Sequence, residues 1–412
     1  MGERVGGRIK EMKKFICKHP WSHFEINNPN GDVTMCCNNN TVLGNVNSNE
    51  VSEIWNGKKF QAVRSRMINE GAYSMCPHTC PVLQGGKTYE NLDWYRELSE
   101  DSEQRLNAEL NELEFKRKSI ILDSLPRWFR FTYSYACNLD CYHCYQREDA
   151  TLRIKLPKRF MEDVPKYAKV AQMVYPFGGE PFYFSPVVEF LESHNSNLET
   201  RFFFITNGTL LSDRVYSVLE RLTISCMAVS LDAASEDTFD KLRVRGRRAS
   251  WSKVLENLSR IQELKSKKGF DFKLSMTLNS ENCHQIEKFV NLALSYGAEP
   301  LIMLVANPYQ TVEFQKQYLS FNQQQFKMIE TGVRNALPAV QKLKYVDAEL
   351  YLNELLKHLK YHKGADNNVA RFRAKKAARN IYHRLPEYLQ IPVRNWVQRS
   401  RTRRLAKIAD EE

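Results

Sequence analysis

Cys137-Asn-Leu-Asp-Cys141-Tyr-His-Cys144 follows the aromatic run Trp128-Phe-Arg-Phe-Thr-Tyr-Ser-Tyr135 near the middle of the chain. The run reads as a buried strand, and three closely spaced thiols can grip one metal centre. Three is an incomplete set. A structural zinc site takes four protein ligands and a closed shell, so the triplet would need a fourth from elsewhere. An iron–sulfur cubane has four iron corners, and three cysteines leave one open to a substrate or cofactor. The spacing by itself leaves both readings standing.

Downstream of the triplet, strand and helix patterns alternate. Strands are expected at 129–135, 172–177, 201–206, 225–231, 270–278 and 300–305, and helices at 158–171, 186–194, 212–222, 251–265 and 285–296. Such alternation predicts a parallel sheet with helices outside it. Six units predict an α/β fold, a partial (β/α)6 barrel of the TIM type, whose active sites lie at the C-terminal ends of the strands. Each predicted strand is followed by Gly-rich or polar residues. In order they are the cysteine triplet, Gly178-Gly-Glu-Pro181, Thr206-Asn-Gly208, Ser230-Leu-Asp232, Leu278-Asn279 and Asn307. Turn chemistry favours these residue types at strand ends anyway. Their recurrence beside the triplet points to one site at that rim.

Residues 1–93 precede this pattern and carry five cysteines on short apolar runs. So thin a core predicts a small module stapled by metal. Asn30-Gly31 between apolar runs signals a two-residue hairpin that returns Cys36 towards Cys17. A helix over Val51–Asn69 carries the chain on to Cys76 and Cys80. Four thiolates thus converge: Cys17, Cys36, Cys76 and Cys80, with Cys37 an alternative to Cys36. Residues 94–127 read as a helical linker, with Leu106, Leu110, Leu113 and Ile120 in helical register on an otherwise charged, solvated spacer. Residues 307–365 form a helical flank to a barrel spanning 128–306, and 366–412 form a basic tail.

The chain is 412 residues long with a net charge of +12. Almost all of that charge sits between Arg371 and Lys407, where twelve Lys/Arg face the single acid Glu387. The basic balance therefore says nothing about the central site. The tail reads as a basic amphipathic helix for an anionic membrane surface or an acidic partner; nucleic acid is the less favoured partner. No apolar run reaches the roughly 18 residues of a membrane span, and the N-terminus lacks the apolar core of a secretory signal. A cytoplasmic location is expected, peripheral to a membrane if the tail docks there. In a reducing compartment ten cysteines argue for metal or redox chemistry over disulfides.

On these residues the chain resembles the radical SAM superfamily. The match is Cys137-x-x-x-Cys141-x-x-Cys144 with His143 before the last cysteine, joined by Gly178-Gly-Glu180 and by Ser230 and Asp232. The resemblance implies that Cys137, Cys141 and Cys144 hold a 4Fe–4S cluster whose open iron binds S-adenosyl-L-methionine. It implies reductive cleavage of that cofactor to a 5′-deoxyadenosyl radical, which takes hydrogen from a peptide, sugar or small metabolite. It implies a reductant such as a ferredoxin or flavodoxin. Gly178 and Gly179 then bring backbone close to the methionine amino group, with Glu180 as a further acceptor. Ser230 and Asp232 suit the ribose hydroxyls, and Arg243 or Arg245 the methionine carboxylate; Asn207 and Asn279 complete the cofactor contacts. No further catalytic residue is identified.

The N-terminal frame resembles the auxiliary-cluster modules called SPASM and, when shortened, twitch. Cys17, Gly31 with Cys36, the Gly-Asn-Val and Glu-Ile-Trp-Asn runs, and Cys76-x-x-x-Cys80 carry that likeness. Family members usually place the module after the barrel; here it comes first. The resemblance implies one auxiliary 4Fe–4S cluster closed by four cysteines. The rival reading is a non-enzymatic, zinc-binding protein associated with nucleic acid.

Overall fold

The computed structural model describes residues 15–363 apart from 78–79, 81, 84–91, 145, 147–152, 196–197, 245–248 and 305–320, with side chains described as far as residue 357. The basic tail, Arg245, Asn307 and the start of the helical flank, 307–320, therefore lie outside the described residues. Contacts divide the chain at Tyr351, with Leu352–Glu412 as a second unit. Among the described residues no helix is long and apolar enough to cross a membrane.

The first unit is built on one nine-stranded sheet, in the order β3-β2-β1-β4-β5-β6-β7-β8-β9. Its strands are β1 (His23–Ile26), β2 (Asp32–Thr34), β3 (Gly44–Asn45), β4 (Trp128–Thr132), β5 (Met173–Phe177), β6 (Arg201–Thr206), β7 (Thr223–Ser230), β8 (Asp271–Leu278) and β9 (Glu299–Leu304). The strands β4 to β9 pair in parallel with their sequence neighbours. They are the predicted six-unit partial barrel. The helices are α1 (His19–Ser22), α2 (Val51–Trp55), α3 (Lys58–Glu70), α4 (Glu103–Arg117), α5 (Lys158–Ala168), α6 (Ser185–Ser193), α7 (Asp213–Arg221), α8 (Glu236–Phe239), α9 (Trp251–Lys268), α10 (Ile286–Ser295), α11 (Gln323–Lys342) and α12 (Val346–Lys363). Alternation sorts the faces of β4. Phe129 stacks on Phe160 of α5, and Phe131 meets Phe160 and Phe190 of α6 edge-on. Trp128 and Arg130 meet Tyr175 and Phe177 of β5 instead.

The N-terminal segment is not a separate module held by metal alone. The strand β1 pairs in parallel with β4, so the sheet runs across that boundary. Phe24 lies between Phe60 and Phe129, at 6.3 and 5.5 Å, and Trp21, Trp55, Phe60 and Met67 are all buried. The apolar residues looked sparse because their partners belong to the barrel. The hairpin from β1 to β2 forms, with Gly31 at φ 83°, but its loop spans 27–31 rather than two residues. The single helix expected over Val51–Asn69 breaks at Gly57 into α2 and α3.

The linker helix α4 is the larger surprise. Leu106, Leu110, Leu113 and Ile120 are exposed, whereas Gln104, Ala108, Asn111, Glu112 and Glu114 are buried. The inward polar face terminates loose backbone. Asn111 donates to the Trp21 carbonyl at 2.6 Å and Gln104 to that of Lys169 at 2.7 Å. Glu114 accepts from the N–H of Asp123 at 2.5 Å. Arg127 joins the same layer, donating to Glu112 and Gln172 at 2.7 Å each and to the Leu92 carbonyl at 2.8 Å. The segment is a polar keystone between the N-terminal strands and the barrel, not a solvated spacer.

Candidate functional site

The chain leaves β4 and runs beside the end of β5 before reaching Cys137. The Tyr133 N–H donates to the Phe177 carbonyl at 3.1 Å, and the Gly179 N–H to that of Ser134 at 2.9 Å. The crossing is too close for side chains. A Cβ on Gly179 would lie 2.2 Å from the Ala136 carbonyl oxygen, and one on Gly178 2.4 Å from that of Ser134. The glycines are thus required by the strand that delivers Cys137.

The cysteine loop is held from two directions. On one side the Asp140 and Tyr142 N–H groups donate to the carbonyls of Arg243 and Leu242, at 3.2 and 2.8 Å. Those carbonyls belong to a short π-helical turn, Asp240–Val244, a distortion that recurs at functional sites. On the other side, the Cys137 Sγ accepts from the Leu139 N–H at 3.4 Å and from Asn207 Nδ2 at 3.6 Å. Burial pushes the Cys137 thiol up to about 11 and the Cys141 thiol up to about 12. The thiols of Cys137, Cys141 and Cys144 lie within electrostatic reach of one another. Kept neutral by burial, such thiols ionise when a cationic metal centre takes them as ligands.

Glu180 follows the two glycines and is fully buried. Its carboxylate accepts from Thr206 Oγ1 at 2.8 Å, the Asn207 N–H at 2.7 Å and the Phe182 N–H at 3.3 Å. Burial raises it to about 7. Read from sequence as an acceptor for a cofactor ammonium, it is in place a strut between the ends of β5 and β6. Asn207 likewise points at the cysteine loop, giving Nδ2 to Asn138 Oδ1 at 2.9 Å as well as to Cys137.

Asp232 sits just beyond β7 in the left-handed region, at φ 58°. Its Oδ1 accepts from the Thr277 N–H at 2.7 Å. Its Oδ2 meets the Arg243 guanidinium and lies 3.1 Å from His143 Nε2. Burial opposes its charge, but Arg243 and His143 prevail and hold the carboxyl well below its usual range. Both oxygens of Asp232 are thus engaged by protein groups. Arg243 is buried beside Asp232 and near Cys141 and Cys137; burial works against its charge, and these neighbours outweigh burial and raise its pKa. Ser230 stays half-buried, 3.3 Å from Ser275 Oγ. Asn279 closes the turn after β8, its N–H donating to Asn282 at 2.8 Å.

The second group of cysteines divides into pairs. The hairpin brings Cys36 within electrostatic reach of Cys17, and burial with the nearby Glu25 pushes the Cys36 thiol far up. Burial and Cys80 likewise push Cys76 up. Asn39 Nδ2 ties the turn after Cys36 to the Met75 carbonyl at 3.2 Å. The Ala72 N–H donates to the Phe15 carbonyl at 2.8 Å, bringing the segments ahead of Cys17 and Cys76 side by side. Cys36 is buried and Cys37 exposed. Among the described residues no three His, Cys, Asp or Glu converge on the position of a single metal ion. Both cysteine sets, all sulfur and with no carboxylate among them, fit an iron–sulfur cluster.

Sequence reasoning picked out Cys137, Cys141, Cys144, Gly178, Gly179, Glu180, Asn207, Ser230, Asp232, Arg243 and His143, and the structure gathers them at one rim. It gave no role to Asn138, Thr206, Thr209 and Thr277, which orient them. The run Thr206-Asn-Gly-Thr209 was a visible signal, since Asn and Thr beside Gly build side-chain-capped turns.

Residues 131–293 match the family description "Radical SAM superfamily", and residues 17–81 match "SPASM: Iron-sulfur cluster-binding domain". The AdoMet-dependent heme synthase of Methanosarcina barkeri is 27% identical over 184 residues, 43% of this chain and 50% of that protein. The mycofactocin maturase MftC of Mycolicibacterium smegmatis is 29% identical over 171 residues, 40% of this chain and 41% of the maturase. The chain thus spans about half or less of the curated relatives it matches. The crystal structure of Streptococcus suis SuiB bound to precursor peptide SuiA aligns at a TM-score of 0.41 with 15% identity, covering 71% of this chain and 62% of SuiB. The two family matches favour an iron–sulfur enzyme over the zinc-binding, non-enzymatic alternative.

Proposed function

We propose, for a chain that belongs to the radical SAM superfamily and carries a SPASM domain ahead of its barrel, that Cys137, Cys141 and Cys144 are the ligands of its catalytic cluster. As an enzyme of that superfamily it uses S-adenosyl-L-methionine and a 4Fe–4S cluster, with auxiliary iron–sulfur in the SPASM domain. The observation that carries the assignment is the loop itself. Three thiols within mutual reach, at the C-terminal end of the first barrel strand, are pinned to the turn after β6 and to the π-helical turn Asp240–Val244. When bound, the reduced cluster supplies the electron that splits the sulfonium C–S bond, giving methionine and a 5′-deoxyadenosyl radical that takes hydrogen from substrate.

The protein's part is binding, orientation and control of charge. The Gly179 crossing delivers Cys137 to the rim. Arg243 places a fixed positive charge beside Cys141 and Cys137, and Asp232 holds it there. Ser230, the least committed of the rim side chains, is positioned for a ribose hydroxyl. Cys17, Cys36, Cys76 and Cys80 hold one auxiliary 4Fe–4S cluster. The divisions at 1–93, 94–127, 128–306, 307–365 and 366–412 belong to the same proposal. The electron donor is a small reductant of the ferredoxin or flavodoxin kind, and the hydrogen donor is a peptide, sugar or small metabolite. Association of the tail with an anionic membrane or acidic partner is part of this reading.

The test is anaerobic reduction with dithionite in the presence of S-adenosyl-L-methionine. Formation of 5′-deoxyadenosine above a Cys137→Ala control supports the reading, and none above it refutes it. Deuterium carried from a candidate substrate into 5′-deoxyadenosine then identifies the hydrogen donor.

A further inference from the structure

We propose that Asn207 is a positioning residue for the cluster. Its carboxamide is locked as a hydrogen-bond donor to the Cys137 sulfur and raises the reduction potential of the metal centre. The inference rests on Cys137 being a cluster ligand. Asn207 occupies the turn after β6, and every part of it is held. Its backbone N–H donates to Glu180 at 2.7 Å. Its Oδ1 accepts from the Thr209 N–H at 2.9 Å and from the Thr209 hydroxyl. Its Nδ2 is thereby turned towards Asn138 Oδ1 at 2.9 Å and Cys137 Sγ at 3.6 Å. Asn138 is fixed in turn, donating to Thr209 Oγ1 at 2.7 Å. The turn is braced from beneath: Gly208 adopts φ 73°, its carbonyl accepts from the buried Asn257 at 2.8 Å, and Thr206 Oγ1 accepts the Gly208 N–H at 3.1 Å.

This closed triangle of Asn207, Asn138 and Thr209 leaves the carboxamide one orientation. A swap of its oxygen and nitrogen would set oxygen against Asn138 Oδ1 and NH₂ against the Thr209 N–H, two acceptors and two donors face to face. The donor therefore points at sulfur by network, not by chance rotamer. A thiolate gains negative charge when its cluster is reduced, and hydrogen bonds to the sulfurs are among the determinants of cluster potential. An N–H aimed at Cys137 stabilises the reduced state more than the oxidised one. The same geometry explains why Glu180 is buried so deeply: it anchors the backbone that carries the donor.

The test uses the anaerobically reconstituted full-length protein and a potentiometric titration followed by electron paramagnetic resonance. The cluster with the open iron is the one whose signal responds to S-adenosyl-L-methionine. Asn207→Asp keeps an Oδ1 acceptor for Thr209, and so keeps the turn, but faces the thiolate with a carboxylate oxygen. The expected result is a lower midpoint potential, by roughly tenfold in the one-electron reduction equilibrium or about 59 mV. Asn207→Leu falls between Asn207→Asp and the wild type. The added carboxylate charge lowers the potential of Asn207→Asp in either case, so the uncharged Asn207→Leu decides: a purely structural Asn207 leaves it at the wild-type potential, and that result overturns the inference. If Asn207→Leu does not load a cluster, Asn138→Ala decides. Loss of the acceptor that orients the carboxamide lowers the potential by less, and an unchanged potential refutes the proposal. A wild-type protein with no cofactor-responsive signal refutes the function itself; a responsive signal with an unaltered potential refutes only the role of Asn207.

Discussion

Gly179→Ala should uncouple delivery of Cys137 from general stability. An alanine Cβ at this position would sit 2.2 Å from the Ala136 carbonyl oxygen and 2.3 Å from that of Tyr135, both rigid backbone atoms. Contacts closer than 3.0 Å are not tolerated, so the backbone at 135–136 has to retreat by roughly 0.8 Å, and in a close-packed interior that shift is passed on. The next residue is Cys137. Overpacking of this kind costs about 1–3 kcal/mol, and a displacement near 1 Å at a reacting centre costs about 100-fold in rate. Gly269→Ala is the matched control. Gly269 caps α9 at φ 74° with nothing within 4 Å of its missing Cβ, so alanine there pays only the left-handed backbone cost of roughly 1–2 kcal/mol. The assay combines urea unfolding, iron and sulfide content after anaerobic reconstitution, and the rate of 5′-deoxyadenosine formation. Both variants should lose comparable stability, and only Gly179→Ala should lose cluster and rate. Equal cluster content and rates within a few-fold for the two would refute the reasoning.

Three further outcomes are expected. Arg127→Met leaves Glu112 to Lys18 and removes the Arg127 bonds to Gln172 and the Leu92 carbonyl, and should cost about 3 kcal/mol in urea unfolding; adding Glu112→Leu should recover only a minor part of that loss, because the bonds to Gln172 and Leu92 stay broken. Cys36→Ala should lower iron content by one auxiliary cluster's worth, whereas Cys37→Ala should leave it at the wild-type level, since Cys36 is the buried neighbour of Cys17. His194 is buried against Phe190 and Phe202, and burial lowers it to about 4. Its folded pKa lies below its unfolded one, so its contribution is intact above about pH 6.5 and lost as pH falls towards 4, to about 3 kcal/mol. His194→Phe should flatten that part of the stability–pH curve measured by denaturant unfolding.

Much of the barrel was legible because its signals are local. Strand and helix periods, and Gly or Asn at strand ends, are written within a few residues, so β6 was read at its observed limits, 201–206. The residue types of the rim were legible for the same reason. Their partners were not. Glu180 and Asp232 were read as acceptors for a cofactor, and a sequence does not show which protein groups already surround a carboxylate. Thr206 and Asn207 lie 26 and 27 residues from Glu180, and Thr277 lies 45 from Asp232. The reading of α4 failed through a different cause. Its leucines repeat as a core-facing stripe does, but the space beneath it is lined with unsatisfied carbonyls of α1 and the loops before β4 and β5, which only amide and guanidinium groups satisfy.

The cysteine spacing and the order of strands around it were determined by the sequence alone, since spacing and period are properties of neighbouring residues. Only the tertiary structure decided what the rim residues touch. It also decided that the N-terminal strand extends the barrel sheet, and that Glu180 and Asp232 brace the cysteine loop from opposite sides. Those outcomes depend on burial and on contacts between residues far apart in the chain. There a carboxylate is retained only where donors from several strands converge on it.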